Sequence, residues 1–166
     1  NNLGTLSTNL GKLDDAINNY KKAIEINPSF HEAHNNLGNV FKKLGQFDEA
    51  VKNFDKAITT KPDFAEAHNN LGCTFKDLNQ LDEALKCFER AVEIKPNFSE
   101  AYQNLGNVFK DLNQYDAALK SYSNAIAINP DIEYVLGNIL VTKMNSCNWD
   151  DFSILLNNAK KKILNN

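Results

Sequence analysis

Prolines at Pro28, Pro62, Pro96 and Pro130 stand 34 residues apart, and two further series keep the same step. Leucine–glycine pairs recur at Leu3-Gly4, Leu37-Gly38, Leu71-Gly72 and Leu105-Gly106, and alanines at Ala16, Ala50, Ala84 and Ala118. A constant period of this length leaves few options. It specifies a solenoid of helix-turn-helix units, each burying its apolar face against its neighbours. The chain is therefore expected to be all-α.

The punctuation between prolines predicts two helices per unit. Ser29, Asp63, Asn97 and Asp131 follow the prolines and are expected to cap the first helix of each unit. Glu32, Glu66 and Glu100 stand three positions on, as in a capping box. Gly11, Gly45, Asn79 and Asn113 tolerate left-handed backbone and mark the exit of that helix. Asp14, Asp48, Asp82, Asp116 and Asp150 are expected to open the second helix. Gly38, Gly72 and Gly106 fall mid-helix, where glycine costs roughly 1 kcal/mol against alanine, so their recurrence implies close helix–helix approach. Phe41, Phe75 and Phe109, with Phe54, Phe88 and Tyr122, read as core filling between the helices.

The segment Ala33–Pro62, AHNNLGNVFKKLGQFDEAVKNFDKAITTKP, resembles a tetratricopeptide repeat of consensus type. The resemblance covers residues 1–132, with the first unit truncated at its start. It implies a right-handed α-solenoid in which the first helices of successive units line a concave groove, and a scaffold that binds protein or an extended peptide segment. Residues 133–166 are expected to form a degenerate helical pair that caps the stack. On the same frame Asn138 follows Asn104, Trp149 takes the place of Tyr115, and Leu156 and Ala159 take those of Tyr122 and Ala125. The run Lys160-Lys161-Lys162 suits a helix C-terminus. Within this region Cys147-Asn148-Trp149-Asp150-Asp151-Phe152 is similar to the segment that joins repeats to catalytic region in O-linked N-acetylglucosamine transferase-like proteins. That likeness implies a substrate-recruiting arm, since no nucleotide-sugar-binding α/β domain lies within the chain.

A polar face on the first helices carries the binding expectation. Asn2, Asn36, Asn70, Asn104 and Asn138 recur at the 34-residue step, and Asn39 and Asn107 share the face one turn along. A side-chain amide both donates and accepts, so a row of them can hold the backbone of an extended peptide largely without regard to its sequence. The same asparagines can instead tie neighbouring first helices together, and the two roles are compatible. In the transferase-like family the matching asparagines are understood to grip peptides. Some tetratricopeptide domains bind a terminal carboxylate through lysines, but Asn35, Asn69 and Gln103 stand where the first such lysine is expected. Lys42, Lys76 and Lys110 near the helix ends mix with Lys43, Asp77 and Asp111, a mixture that by itself implies no strong preference for acidic peptides.

Chemistry of other kinds finds little footing. The net charge of −3 gives no polyanion-binding surface, so no nucleic-acid partner is expected. No apolar run approaches the roughly 18 residues of a membrane span, and no signal-peptide pattern opens the sequence. Three scattered cysteines, Cys73, Cys87 and Cys147, have no metal-ligand spacing and fit a reducing, cytoplasmic setting. His34 and His68 hold equivalent inward positions and read as packing residues. Asp48-Glu49 and Asp82-Glu83 read as helix-start charges. No catalytic constellation, metal site or cofactor is expected. Self-association through an exposed end of the stack is the remaining expectation, with Asn1 in place of Met suggesting a cut or processed start.

Overall fold

The computed structural model describes residues 2–9, 12–132, 134–154 and 156–157. These form helices α1 (Asn2–Asn9), α2 (Leu13–Ile26), α3 (His31–Lys43), α4 (Phe47–Thr60), α5 (Ala65–Asp77), α6 (Leu81–Ile94), α7 (Ser99–Asp111), α8 (Tyr115–Ile128) and α9 (Val135–Asn145). They divide into two compact units, Asn1–Ile94 and Lys95–Asn166. Within the first unit, Ala16 and Tyr20 of α2, Leu37, Val40 and Phe41 of α3, and Phe54 of α4 share one buried cluster. The second unit has its own core, in which Tyr122 and Ala125 of α8 meet Ile132, Val135 and Ile139.

Helix pairing within each unit turns on the mid-helix glycines. A Cβ built at Gly38 would lie 2.8 Å from Phe54 Cε1, and one at Gly72 2.8 Å from Phe88 Cε1. At Gly4 and Gly106 the distance to Tyr20 and Tyr122 Cε1 falls to 2.5 Å. Each glycine therefore lets the ring from the following helix lie against bare backbone, and those four rings are almost wholly buried. The helix-propensity cost of the glycine is offset by the area that a buried aromatic ring removes from water.

Exits from the first helices follow one design. At Gly45, Asn79 and Asn113 the backbone turns left-handed, with φ of 71°, 59° and 59°. Beyond each, the amides of Gln46, Gln80 and Gln114 donate to the carbonyls of Phe41, Phe75 and Phe109 at 2.8–2.9 Å. This pairing closes the helix by satisfying carbonyls that have no partner inside it. The exit of α9 repeats it: Cys147 has φ 53°, and the Asn148 amide donates to Lys143 O at 2.9 Å. Gly11, expected to serve the same role, lies outside the described residues, as do Ala159 and Lys160-Lys161-Lys162.

The helix starts differ from the sequence expectation. Phe30, Phe64 and Phe98 occupy the cap position of α3, α5 and α7, and no side chain closes a capping bond there. Ser29 lies one residue too early; its amide instead donates to Asn27 Oδ1 at 3.1 Å, and the Asp131 amide does the same to Asn129 Oδ1. In these two turns the asparagine before the proline is the organising residue. Glu32 and Glu66 are second helical residues behind a phenylalanine cap, in the first turn where the helix dipole favours a carboxylate. The second helices likewise start after Lys12, Gln46 and Gln114, which places Asp14, Asp48 and Asp116 inside the first turn. Asp150 lies in a turn two residues before the helical stretch 152–154, and its amide donates to Asn148 Oδ1.

Candidate functional site

Where the ring packed on a first-helix glycine carries a hydroxyl, that hydroxyl reaches the residue that follows the glycine. Tyr20 OH donates to Thr5 Oγ1 at 3.2 Å, and Tyr122 OH to Asn107 Oδ1 at 2.8 Å. Burial, aided by the Asp111 charge, raises the Tyr122 hydroxyl far above its usual pKa, so it stays a donor at any ordinary pH. At the two intervening positions the rings are Phe54 and Phe88, and Asn39 and Cys73 above them receive no hydroxyl. The Asn39 amide makes no hydrogen bond with any described residue.

Neighbouring first helices are joined by amides inside each unit. In the first, Asn70 Nδ2 donates to Asn35 Oδ1 at 2.9 Å, linking α5 to α3; Asn35 itself is 7% exposed and reaches Asn36 Oδ1 at 3.5 Å. In the second, Asn138 Nδ2 donates to Asn107 Oδ1 at 3.0 Å, linking α9 to α7. An ion pair between Lys42 and Asp77, at 3.3 Å, adds a charged link from α3 to α5. Sequence reasoning did not single out Asn35 as the acceptor. Its burial, set by the pitch of α3, is the reason it serves.

An open concavity of about 400 Å³ lies on this face of the first unit. Thr5 and Thr8 of α1 form one wall, Tyr20 the floor, and Asn36, Asn39, Lys42 and Lys43 of α3 the other wall. The structure thus brings Asn36 and Asn39 together at a solvent-open depression, with Asn70 on the adjoining helix. Asn2 is exposed at the start of α1 and lines a different, mainly apolar depression of about 600 Å³ with Leu3, Ala23, Ile26 and Phe30. Asn104 and Asn107 lie on α7 and Asn138 on α9, in the second unit.

The inward histidines brace turns. His34 Nε2 and His68 Nε2 donate to the carbonyls of Pro28 and Pro62, each at 3.1 Å. Loss of hydration lowers the His68 pKa, and the Arg90 charge adds to this, against the opposing pull of its bond to Pro62 O. Cys87 is held as a thiol, its pKa pushed up to about 11 by burial and by the carboxylates of Asp55 and Glu83. Among the described residues no cluster of histidine, cysteine and carboxylate side chains has the makings of a metal site. No helix among them is long and apolar enough to cross a membrane.

This arrangement of paired helices, with a glycine–ring contact in each pair and a left-handed exit, is that of tetratricopeptide repeats, and the chain belongs to that family. Models described as TPR repeat match residues 6–45 and 38–78, and models described as Tetratricopeptide repeat match 65–98 and 99–132. Among solved structures, MamA is similar at a TM-score of 0.85 and 24% identity, over 97% of this chain and 96% of that one. The MamA segment from residue 41 to the end, from Desulfovibrio magneticus RS-1, has a TM-score of 0.85 at 18% identity, covering 96% of this chain and 90% of that one. YrrB, described as a TPR protein with an unusual peptide-binding site, has a TM-score of 0.76 at 26% identity, over 94% and 80% of the two chains. No curated protein matches the sequence.

Proposed function

We propose that this tetratricopeptide scaffold holds an extended peptide segment of a partner protein on the asparagine-bearing face of its first helices. The observation that carries the reading is that Asn36 and Asn39 both line the wall of an open concavity, with the Asn39 amide uncommitted among the described residues. A half-buried amide beside a groove can donate to a peptide carbonyl and accept from a peptide N–H at once. Asn70 and Asn138 serve a double role in this reading, since each also joins two first helices. The peptide-binding site attributed to YrrB, a protein of similar fold, is in keeping with it.

Titration of Asn39→Ala against a panel of short unstructured peptides tests the reading. Affinity is expected to fall several-fold across the whole panel, because a lost amide–backbone bond is worth about 1 kcal/mol whatever the peptide sequence. Unchanged affinity for every peptide in the panel would remove the basis for backbone capture here.

A self-associating scaffold is a second reading with its own observation. Leu3 is 67% exposed while its equivalents Leu37, Leu71 and Leu105 are 3%, 6% and 6% exposed, and Ile26 beside it is 87% exposed. Concentration-dependent sedimentation that disappears in Leu3→Asp would favour it. The recruiting arm of a glycosyltransferase rests on the Cys147–Phe152 segment, in which Trp149 and Phe152 meet edge to face at 5.3 Å. Sugar transfer to groove-bound peptides by a longer protein bearing these repeats is the test of that reading.

A further inference from the structure

We infer that α9 gives the peptide-holding face an apolar subsite, in which Val141 and Met144 seat a bulky apolar side chain of the bound segment. The inference deepens the peptide-binding reading above and rests on it. Tyr134, Gly137, Val141 and Met144 recur at spacings of three and four residues, which places the last three on one face of α9 with Tyr134 at its cap. All four are exposed, Tyr134 by 78%, Val141 by 47% and Met144 by 51%. One period earlier, α7 has Glu100, Gln103, Asn107 and Lys110 at these places. Apart from Cys73, α3 and α5 likewise have glutamate, asparagine and lysine there. The face that is polar in α3, α5 and α7 is apolar in α9.

No charge stands on this stripe. Lys143 is the one charged residue of α9, and its ammonium turns to the helix exit, where it donates to Asp150 O at 2.8 Å and to Asn148 Oδ1 at 3.4 Å. Gly137 has no heavy atom within 4 Å of where a Cβ would stand, so a visiting side chain can lie against the backbone beside Val141. The stripe also adjoins the amides: Asn138 of the same helix donates to Asn107 of α7 at 3.0 Å. A segment whose backbone is held at those amides therefore reaches Val141 and Met144 without leaving the face. An uncharged wall suits an apolar occupant, because both surfaces are removed from water on contact. A charged or amide side chain would lose hydration there and gain no partner.

The test uses two capped, neutral, unstructured peptides of one serine-rich sequence, one with a central leucine and one with serine in its place, each bearing the same polar fluorophore. Fluorescence anisotropy is read for the unaltered protein and for the double variant Val141→Asn, Met144→Lys, which takes the residues of α7. It is also read for Ile26→Thr, which removes a side chain 87% exposed at the end of α2. The expected result is that the leucine peptide binds the unaltered protein about three- to tenfold tighter, the range for partly burying one aliphatic side chain. That ratio is expected to persist in added salt, to fall towards unity in the double variant, and to survive in Ile26→Thr. Equal binding of the two peptides to the unaltered protein overturns the inference and leaves the peptide-binding reading standing. Equal loss of the ratio in both variants also overturns it, as an effect of general surface hydrophobicity. Sedimentation and thermal melts of the same proteins test for other occupants of the stripe. Self-association abolished by the double variant would give it to a second copy, a large fall in melting temperature would give it to another part of this chain, and either overturns the inference. Failure of both peptides to bind removes the peptide-binding reading and the inference together.

Discussion

The glycines of the first helices are not interchangeable, and alanine separates them. At Gly106 the added methyl would lie 2.5 Å from Tyr122 Cε1, and that ring is anchored by its hydroxyl on Asn107. At Gly72 it would lie 2.8 Å from Phe88 Cε1, a ring without such an anchor. Gly137 of α9 has nothing within 4 Å of its virtual Cβ. Overpacking costs about 1–3 kcal/mol and the gain in helix propensity is about 1 kcal/mol. Gly106→Ala is therefore expected to destabilise most, Gly72→Ala less, and Gly137→Ala to stabilise by up to about 1 kcal/mol. Urea unfolding followed by circular dichroism gives the order directly. Titration at His68 has a definite sign as well. Its folded pKa lies below the unfolded value, so the unfolded chain binds more protons and stability falls as pH drops through that window. His68→Gln should lose less stability than the unaltered protein between neutral pH and about pH 5, a range set by the ordinary His pKa of about 6.5. An equal loss in both would assign the acid sensitivity to other groups.

At the scale of the element, the period in the sequence was enough for helix existence and pairing, because each unit repeats the same leucine, glycine, alanine and proline positions. It was not enough for the starts. Ser29 and Glu32 have the spacing of a capping box, yet Asn27 organises the turn by accepting the Ser29 amide, and Phe30 takes the cap position. Side chains that fold back on their own backbone compete with caps, and spacing alone does not decide between them. The exits were legible at Gly45, Asn79 and Asn113 because glycine and asparagine advertise left-handed backbone. Cys147 advertises nothing, and only its place 34 residues after Asn113 points to the same conformation. A non-glycine residue there is strained, so Cys147→Gly is expected to stabilise the exit of α9 by about 1 kcal/mol. A thermal melt no higher than that of the unaltered protein would mean that the turn relieves the strain in another way.

For the whole molecule, the candidate site was legible as a periodic face but not as a set of roles. Sequence alone left each asparagine as either a peptide contact or a tie between helices. The structure assigns ties to Asn70 and Asn138 and leaves Asn39 uncommitted, a distinction made by the pitch of α3 and α5 and invisible in a column of identical residues. The two kinds should respond differently to alanine. Asn70→Ala leaves the buried Asn35 carbonyl without its donor and should cost about 1–3 kcal/mol of stability. Asn39→Ala should leave stability within about 0.5 kcal/mol of the unaltered value, as surface changes without partners usually do. Denaturant midpoints for the two variants check this; a large loss in Asn39→Ala would show an intramolecular role for that amide.

The rings beneath the groove have a wider consequence. Whether the side chain that follows a mid-helix glycine receives a hydroxyl depends on one oxygen atom in the helix behind it. Phe54→Tyr would place a hydroxyl under Asn39 where Tyr122 places one under Asn107, and so withdraw an acceptor from any visiting peptide. In the proposed peptide-binding reading, receptivity is then edited from the hidden side, repeat by repeat, while the asparagine-bearing face keeps the same residues.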